Sequence, residues 1–531
     1  MAAAHPKQIT HSLWSPFRHP VFSVIWLVTL VSNIGGWMYS AASAWLMTSL
    51  DADPLMVSLV QVAATLPMLL FALPAGVLAD IVDKRRFLIG AEIFVAIVST
   101  SFAVLVWLHR VNSGGLLLLT FLIEAGSAAT SPVWQSVVPQ LVPRQELPAA
   151  IAMNSVGVNV SRAVGPALGG LITAAFGIAA PFWVNGVSNW GVIGALLRWR
   201  SAPSGDSQLP AERFANALRT GVRHSRNNRI LRATLLRAVG FFLFASCYWA
   251  LLPLVARTQV GGGATLYGIL LGAIGASAIA GVFALPRLKS TLGPNRVVAA
   301  GSIGTATALV LYGVARDPIT ALAASAVAGV CWIGVLSTLN VSAQLALPDW
   351  VRGRGLAVYV TVFFGALTLG SAVWGQVARI TGLPMAHFIA AAGMLLIIPL
   401  TWRWKLQSGT GPDLAPSMHW PVPVLGQHVE SEAGPVLVTI EYRIIAAERE
   451  AFVRALERLS RERGRDGAYA WGLFEDVAEP GRFLETFRVG SWVEHMRQHE
   501  RVTNADRELQ QHIAALLTSP PTIAHLIAAR A

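Results

Sequence analysis

Residues 54–79 read PLMVSLVQVAATLPMLLFALPAGVLA, 26 positions without a charged side chain. A helix needs about 20 such residues to cross the ~30 Å hydrocarbon core of a bilayer. The run stops on DIVDKRR (80–86), where acid and base crowd together. Long apolar runs recur along the chain, at 21–49, 54–79, 87–108, 115–138, 148–176 and 179–199, and after a polar gap at 231–256, 264–286, 296–315, 318–345, 354–378 and 384–402. The whole 531-residue chain is 54% apolar and 13% charged, with a mean hydropathy of +0.55. Soluble domains carry about 25% charged residues, so a soluble multidomain protein is excluded. A disordered chain is excluded too, being poor in apolar residues. Two cysteines, Cys247 and Cys331, exclude a disulfide framework and a cysteine-rich zinc site. The first twenty residues lack the early apolar core of a signal peptide and read as a short cytoplasmic tail.

Charge sets the expected topology. Residues 1–405 carry a net +16 and residues 406–531 a net −4. Of the loop cations in the first stretch, 21 fall on the side of the N-terminus and four, Arg110, Arg257, Arg316 and Arg379, on the other. Positive charge stays in the cytoplasm, which places both termini there. The basic excess is thereby assigned to topology and lipid headgroups, and nucleic acid is not expected as a partner. In the central gap, Phe214, Leu218 and Val222 share a helical face among Arg213, Arg219, Arg223 and Arg226. That pattern suits an interfacial helix on anionic lipid as well as a solvated one.

The two halves repeat. Gly76 and Gly281, Pro143 and Pro348, Gly165 and Gly370, and Gly170 and Gly375 are each 205 positions apart. Small and kinking residues at one offset suggest two six-helix halves in parallel repeat, an architecture of secondary transporters.

Several motifs resemble a known family. GVLADIVDKRR (76–86) is similar to the loop between helices 2 and 3 of the major facilitator superfamily: Gly76, Leu78, Ala79, Asp80, Lys84 and Arg85 match, while Ile81 and Asp83 depart. GPALGG (165–170) resembles the helix-5 signature associated with antiporters, and PDWVRGRG (348–355) the turn before helix 11. Residues 31–50 and 142–166 resemble the drug- and siderophore-exporting branch related to the enterobactin exporter and macrolide efflux proteins. The resemblance spans about 20–405. It implies an all-α membrane protein with 12 transmembrane helices in two six-helix bundles, followed by a small α+β ferredoxin-like cytoplasmic domain. The expected boundaries are 1–200, 201–230, 231–405, 406–434 and 435–531.

The residues point to a site. Asp80 is placed to accept from the backbone N–H groups of a helix start and so to lock a cytoplasmic gate, with Gly76, Lys84, Arg85, Arg144, Arg352 and Arg354 around it; plain topological anchoring is the alternative. Gly165, Pro166, Gly169 and Gly170 give a smooth face for close helix packing. Ionisable residues within spans are functional candidates by default. Counting 1.5 Å per residue puts Glu124 and Arg162 within about 3 Å of one depth on sequential helices, so that an ion pair is geometrically plausible. Gln135 shares the Glu124 stripe, Asn159 shares the Arg162 face, and Asn33 adds an amide at mid-depth. Proton antiport needs a carboxyl that takes up a proton in one state and releases it in another, and Glu124 beside Arg162 suits that; a static pair is the alternative. Glu92 and Arg237 lie nearer span ends, where snorkelling suffices. Trp14, Trp107, Trp199, Trp402 and Trp404 read as an interfacial belt. Trp37, Tyr39, Trp45, Phe241, Phe242, Tyr248 and Trp249 fall on helices 1 and 7, which line the cavity in a facilitator fold and suit a bulky apolar or planar substrate.

From 436 the period changes. VLVTIEYRI alternates as a strand, 447–464 is an amphipathic helix, AYAWGLFEDV and RFLETFRVGS are strands joined by a turn at 478–481, 491–517 is a second helix and PTIAHLIAA a last strand. This βαββαβ order fits a ferredoxin-like domain and resembles small dimeric antibiotic-biosynthesis-monooxygenase-like domains. His495 and His499 are four apart, half of a metal site, but no third ligand is specified, and a surface helix is expected. No catalytic set, cofactor or metal is expected, and no ATP-binding loop is present. The expected function is secondary export, by proton antiport, of a drug-like or siderophore-like small molecule across the bacterial inner membrane, with membrane lipid and protons as partners and a homodimer through the tail. An importer of the same fold, or a tail acting as enzyme or ligand sensor, stays open.

Overall fold

The computed structural model describes residues 12, 14–81, 83–137, 141–143, 145–199, 223–407, 413–415, 417, 419–420, 429–430 and 432–529. The side chains of Gly76, Asp80 and Gln135, all of Arg144, and the residues of the expected interfacial helix before Arg223 lie outside the described set. The chain divides into two compact units.

The first unit is helical. Its helices are α1 (Pro20–Leu50), α2 (Pro54–Ile81), α3 (Lys84–Trp107), α4 (Ser113–Val137), α5 (Leu147–Phe176), α6 (Ala180–Arg198), α7 (Arg229–Leu254), α8 (Ala264–Val314), α9 (Pro318–Leu345), α10 (Asp349–Thr381) and α11 (Leu383–Thr401), of which α7, α9 and α10 each send one end into the second unit. Local chemistry places their ends. Pro opens α1 at its first turn, where no N–H is needed. Asp83 accepts from the Arg86 N–H at 2.9 Å and caps α3. Gly177, at φ 86°, ends α5. Gln259, in the π-helical stretch after α7, donates to the carbonyls of Tyr312 (2.6 Å) and Ala315 (2.8 Å) at the end of α8.

Nine helices among the described residues are long and apolar enough to cross a membrane, where the sequence suggested twelve. Two differences account for this. The segments expected at 264–286 and 296–315 are the two arms of α8, two helices that meet at a kink on Gly293 (φ 73°, ψ 162°) and count here as one, a backbone conformation open to glycine. The segments expected at 148–176 and 179–199 form α5 and α6, but their polar content dilutes their apolarity. The amides of Asn185 and Asn189 on α6 donate to Ser99 Oγ on α3 (3.3 and 3.2 Å), and Ser32 of α1 donates to Asn189 (2.9 Å). These are inter-helix bonds that satisfy polar groups away from water.

The 205-residue repeat reappears as packing. A Cβ on Gly165 of α5 would meet Trp37 Cβ and Ile34 O of α1; one on Gly370 of α10 would meet Ser246 Oγ and Leu243 O of α7. A Cβ on Gly170 would meet Ala264 O and Gly268 Cα of α8; one on Gly375 would meet Ser58 Oγ and Pro54 O of α2. Each glycine helix thus presses one partner in its own half and one in the other, and the pairs match under the repeat. Gly169 adds a contact with the Met38 backbone. Gly281 packs on α9, against Ile333 and Val330.

The second unit takes in the C-terminal tail with 212–234 and 340–359. The tail holds β1 (Val436–Arg443), α12 (Arg449–Arg465), β2 (Tyr469–Glu475), β3 (Arg482–Val489), α13 (Trp492–Arg501), α14 (Asn504–Ala514) and β4 (Thr522–Ile527). The sheet order is β2-β3-β1-β4, with every pairing antiparallel. Val436, Val438, Ile440 and Tyr442 alternate inward on β1 and pack with Phe452, Leu456 and Leu459 of α12. The expected single helix over 491–517 is two helices. Thr503 and Asp506 form a capping box that starts α14 anew. A buried acid sits in the core: Glu485, fully buried, accepts from Tyr442 (2.7 Å), Trp471 (2.9 Å) and Arg463 (3.3 Å), and Arg463 lies 4.8 Å from the rings of both Trp420 and Phe487. Around the tail, Glu494 of α13 binds Arg223 (3.5 Å) and Arg501 (3.0 Å), and Arg501 lies 4.3 Å from the ring of Trp350. Burial, with Arg465 and Arg501 nearby, holds His224 at about 3, hence neutral.

Two outcomes follow from this packing. Gly170→Ala and Gly375→Ala should each destabilise the detergent-solubilised chain by about 1–3 kcal/mol through overpacking, whereas Gly194→Ala, whose Cβ meets nothing within 4 Å, should not; thermal unfolding that ranks the three alike would contradict the seam. Glu485→Ala leaves Arg463 buried without its acid and should destabilise the tail by about 3–5 kcal/mol, read as faster hydrogen exchange at β1 and β3 amides of the full chain.

Candidate functional site

A cavity of about 1090 Å³ lies within the helical unit. Four of the residues singled out in the sequence, Asn33, Glu124, Asn159 and Arg162, line it. They come from α1, α4 and α5, of which α5 is held on α1 by the contacts of Gly165 and Gly169.

The expected Glu124–Arg162 ion pair is not formed. No ion pair within 4.0 Å joins either residue to another described one. Arg162 instead lies 5.5 Å from the ring centroid of Trp37, and its Nε has no hydrogen-bond partner. Similar depth on neighbouring helices fixes height but not azimuth, and Trp37 lies beside Arg162 across the Gly165 contact. A guanidinium over an indole face gains a cation–π interaction. Asn159 donates to the Ser155 carbonyl at 2.8 Å.

Glu92, which the sequence ranked low, also lines the cavity and accepts from Trp134 Nε1 at 3.1 Å. Val95, one turn further along α3, lines the cavity beside it, an i, i+3 face that a count of depth ignores. Arg237 does not snorkel. It is 4% exposed and donates to Trp404 O (2.9 Å) and Thr401 O (3.4 Å), so it caps the end of α11.

The aromatic expectation divides. Trp37, Tyr39 and Trp249 line the cavity. Phe241, Phe242 and Tyr248 are fully buried, and with Trp332 they build a cluster in which Phe242 meets Phe363 at 4.4 Å. Trp332, Phe363 and Phe364 carry aromatic surface to the cavity from α9 and α10, helices the sequence did not mark. Trp45 stacks on Tyr267 at 6.0 Å. Of the expected interfacial belt, Trp14, Trp107 and Trp402 are exposed, but Trp199 is buried against Phe22 and Leu196.

The cavity reaches the end of the helical unit at which α1 begins: Phe22 and Trp26 of α1, Leu141 before α5 and Phe283 on α8 all line it. At the other end, Arg257 donates to Thr48 (2.9 Å) and Ser49 and lies 5.4 Å from the ring of Trp45, while Arg379 pairs with Asp53 at 3.8 Å. Charged and hydroxyl groups there tie α1 and α2 to α7 and α10.

Of the expected gate, the described parts are cations. Arg85 donates to Leu197 O (2.8 Å) and Leu196 O (3.4 Å), the C-terminal carbonyls of α6. Arg352 donates to Leu347 O at 3.5 Å. Lys84 is the first residue of α3, and the capping acid there is Asp83, one of the two positions that depart from the family motif.

In the tail, His495 is 1% exposed, not on a surface helix. Burial, then the charges of His525 and His499, hold it at about 4, and burial lowers His525 as well. Both are neutral at pH 7.

Comparison with known proteins assigns the fold and family. Over 407 residues the chain is 23% identical to the multidrug efflux pump Tap of Mycolicibacterium fortuitum, covering 72% of this chain and 94% of that one. Over 248 residues it is 23% identical to macrolide efflux protein A of Streptococcus pyogenes, covering 45% of this chain. The chain spans only 36% and 60% of the length of two curated relatives it matches, YfiS of Bacillus subtilis and that macrolide efflux protein. A solved structure of a POT family transporter superposes with a TM-score of 0.59 at 13% identity, covering 72% of this chain and 95% of that one. The sequence profile of a family described as transmembrane secretion effector matches residues 11–531. A cavity enclosed by two helical halves, that fold and that match give one conclusion: the chain belongs to the transmembrane secretion effector family, and its helical unit shares the fold of that solved transporter.

Proposed function

We propose that this transporter exports a bulky, apolar or planar drug-like or siderophore-like compound across the bacterial inner membrane in exchange for protons. The cavity carries the proposal: it combines about 1090 Å³ of space, aromatic walls and two carboxyls, Glu92 and Glu124. Pockets of 300–1,000 Å³ bury most of a drug-sized ligand. Efflux relatives at low identity, and the resemblance to drug and siderophore exporters, support the direction and substrate class.

Counting α5, α6 and both arms of α8 gives twelve crossings, and the cation asymmetry supports both termini in the cytoplasm. The cavity then opens to the cytoplasm, and the contacts of Arg257 and Arg379 close the outside. Arg162 resting on Trp37 leaves Glu124 free of a cation in this state. Approach of Arg162 in the other state displaces the Glu124 proton into cavity water, and substrate and proton so compete for one chamber. Asn33, Asn159 and Gln135 orient the substrate's polar groups. Asp80, with Gly76, Lys84, Arg85, Arg144, Arg352 and Arg354, biases the inward–outward equilibrium. The tail's βαββαβ order supports a ferredoxin-like domain. Its uncovered sheet face exposes Phe474, Leu484 and Leu526 and pairs two copies of the chain.

Glu124→Gln should abolish proton-coupled efflux while the protein still inserts. Substrate accumulation in cells with and without an uncoupler checks this, and unchanged uncoupler-sensitive efflux in the variant would remove Glu124 from the coupling. Deleting 430–531 should leave efflux intact and convert a dimer in detergent to a monomer; retained dimerisation would place the interface elsewhere.

A further inference from the structure

Away from the cavity, three imidazoles meet in the tail. His495 and His499 lie one turn apart on α13. His525 lies on β4 opposite Val438, on the face that the helices cover. One ring nitrogen from each falls within 4.8 Å of the others, and the Nε2 atoms of His495 and His499 are 3.4 Å apart. Three nitrogens held at ~2.0–2.1 Å from a tetrahedral ion stand about 3.4 Å from one another. The narrow edge already has that length, and the widest, at most 4.8 Å, needs to close by up to about 1.4 Å, within the reach of side-chain rotation.

The surroundings orient the first ring. Gln498 Nε2 donates to the Asp466 carbonyl at 3.3 Å, which fixes the amide so that its oxygen faces His495 Nδ1 at 3.3 Å. His495 Nδ1 is therefore the N–H donor. Its Nε2 carries the lone pair and points at His499. A ligating histidine whose other nitrogen donates to a neighbouring oxygen is the usual outer arrangement of metal sites. Neither His495 nor His525 has an ion-pair partner among the described residues. Trp492 and Trp420 wall the cluster, with ring centroids 6.1 Å from His525 and 5.1 Å from His499.

We propose that His495, His499 and His525 form a three-histidine site for a late first-row divalent metal ion, Zn²⁺ being the probe of choice. Imidazole nitrogens suit zinc, copper and nickel over the hard cations. Three protein ligands leave the fourth tetrahedral position to water or a small ligand. The ion clamps α13 onto the edge strand β4.

The test uses the full chain, purified in detergent without a polyhistidine tag, stripped with chelator and titrated with Zn²⁺ against a chromophoric competitor. One equivalent per chain is expected. His525→Ala, on a half-exposed edge strand, should lose it, and Gln498→Ala should weaken it by roughly 10–100-fold. His512→Ala, on the exposed side of α14, should leave it unchanged. Co²⁺ bound in place of zinc should give the intense visible bands of a tetrahedral centre, a readout that reports geometry if a variant folds poorly. Absence of stoichiometric binding in the wild-type chain, binding that survives His525→Ala, or a pale octahedral Co²⁺ spectrum would each overturn the site and leave a hydrogen-bonded histidine cluster.

Discussion

Four close approaches of one helix backbone to another, at Gly165, Gly170, Gly370 and Gly375, hold the helical unit in its arrangement. In a bilayer, burial of apolar surface gives helices no preference for one another over lipid, so association rests on van der Waals contact and inter-helix hydrogen bonds. Close contact requires the absence of a side chain on at least one partner. α5 and α10 supply that absence, each touching its own half and the opposite half. The cavity between the halves exists because these seams bring the helices together at one level and leave them apart at another.

The fold was legible because its main constraint is one-dimensional. Apolar length and glycine offset are both read along the chain. What failed was what depends on angle around a helix. Glu124 and Arg162 sit at a common depth, yet Arg162 turns to Trp37. Glu92 faces inward although its depth suggested a snorkelling end. Trp332 and Phe363 reach the cavity from helices with no polar stripe to mark them. Over 264–315 the reading of two helices matches two helical arms, which meet directly at a kink on Gly293 (φ 73°, ψ 162°) with no longer turn between them.

The tail shows the same division. Alternation placed β1 within one residue and β3 within two, since a period of two fixes the inward face. The long second helix was misread because its apolar periodicity runs through Val502 and Thr503, whereas the capping pair Thr503 and Asp506 decides the local backbone. His525 was invisible as a partner of His495 and His499, because antiparallel pairing of β4 with β1 brings it there from thirty residues away. Such long-range register is what a spacing rule within one helix cannot express.

The positions that hold the helices together and the positions that face the chamber are largely different residues. Glycines whose neighbours are backbone atoms admit almost no alternative, whereas Trp249 and Phe364 line the chamber away from the glycine contacts. Mutational freedom is therefore lopsided. On the proposed function, a library confined to lining positions such as Trp249 and Phe364 varies the wall of the chamber and leaves the glycine seams untouched.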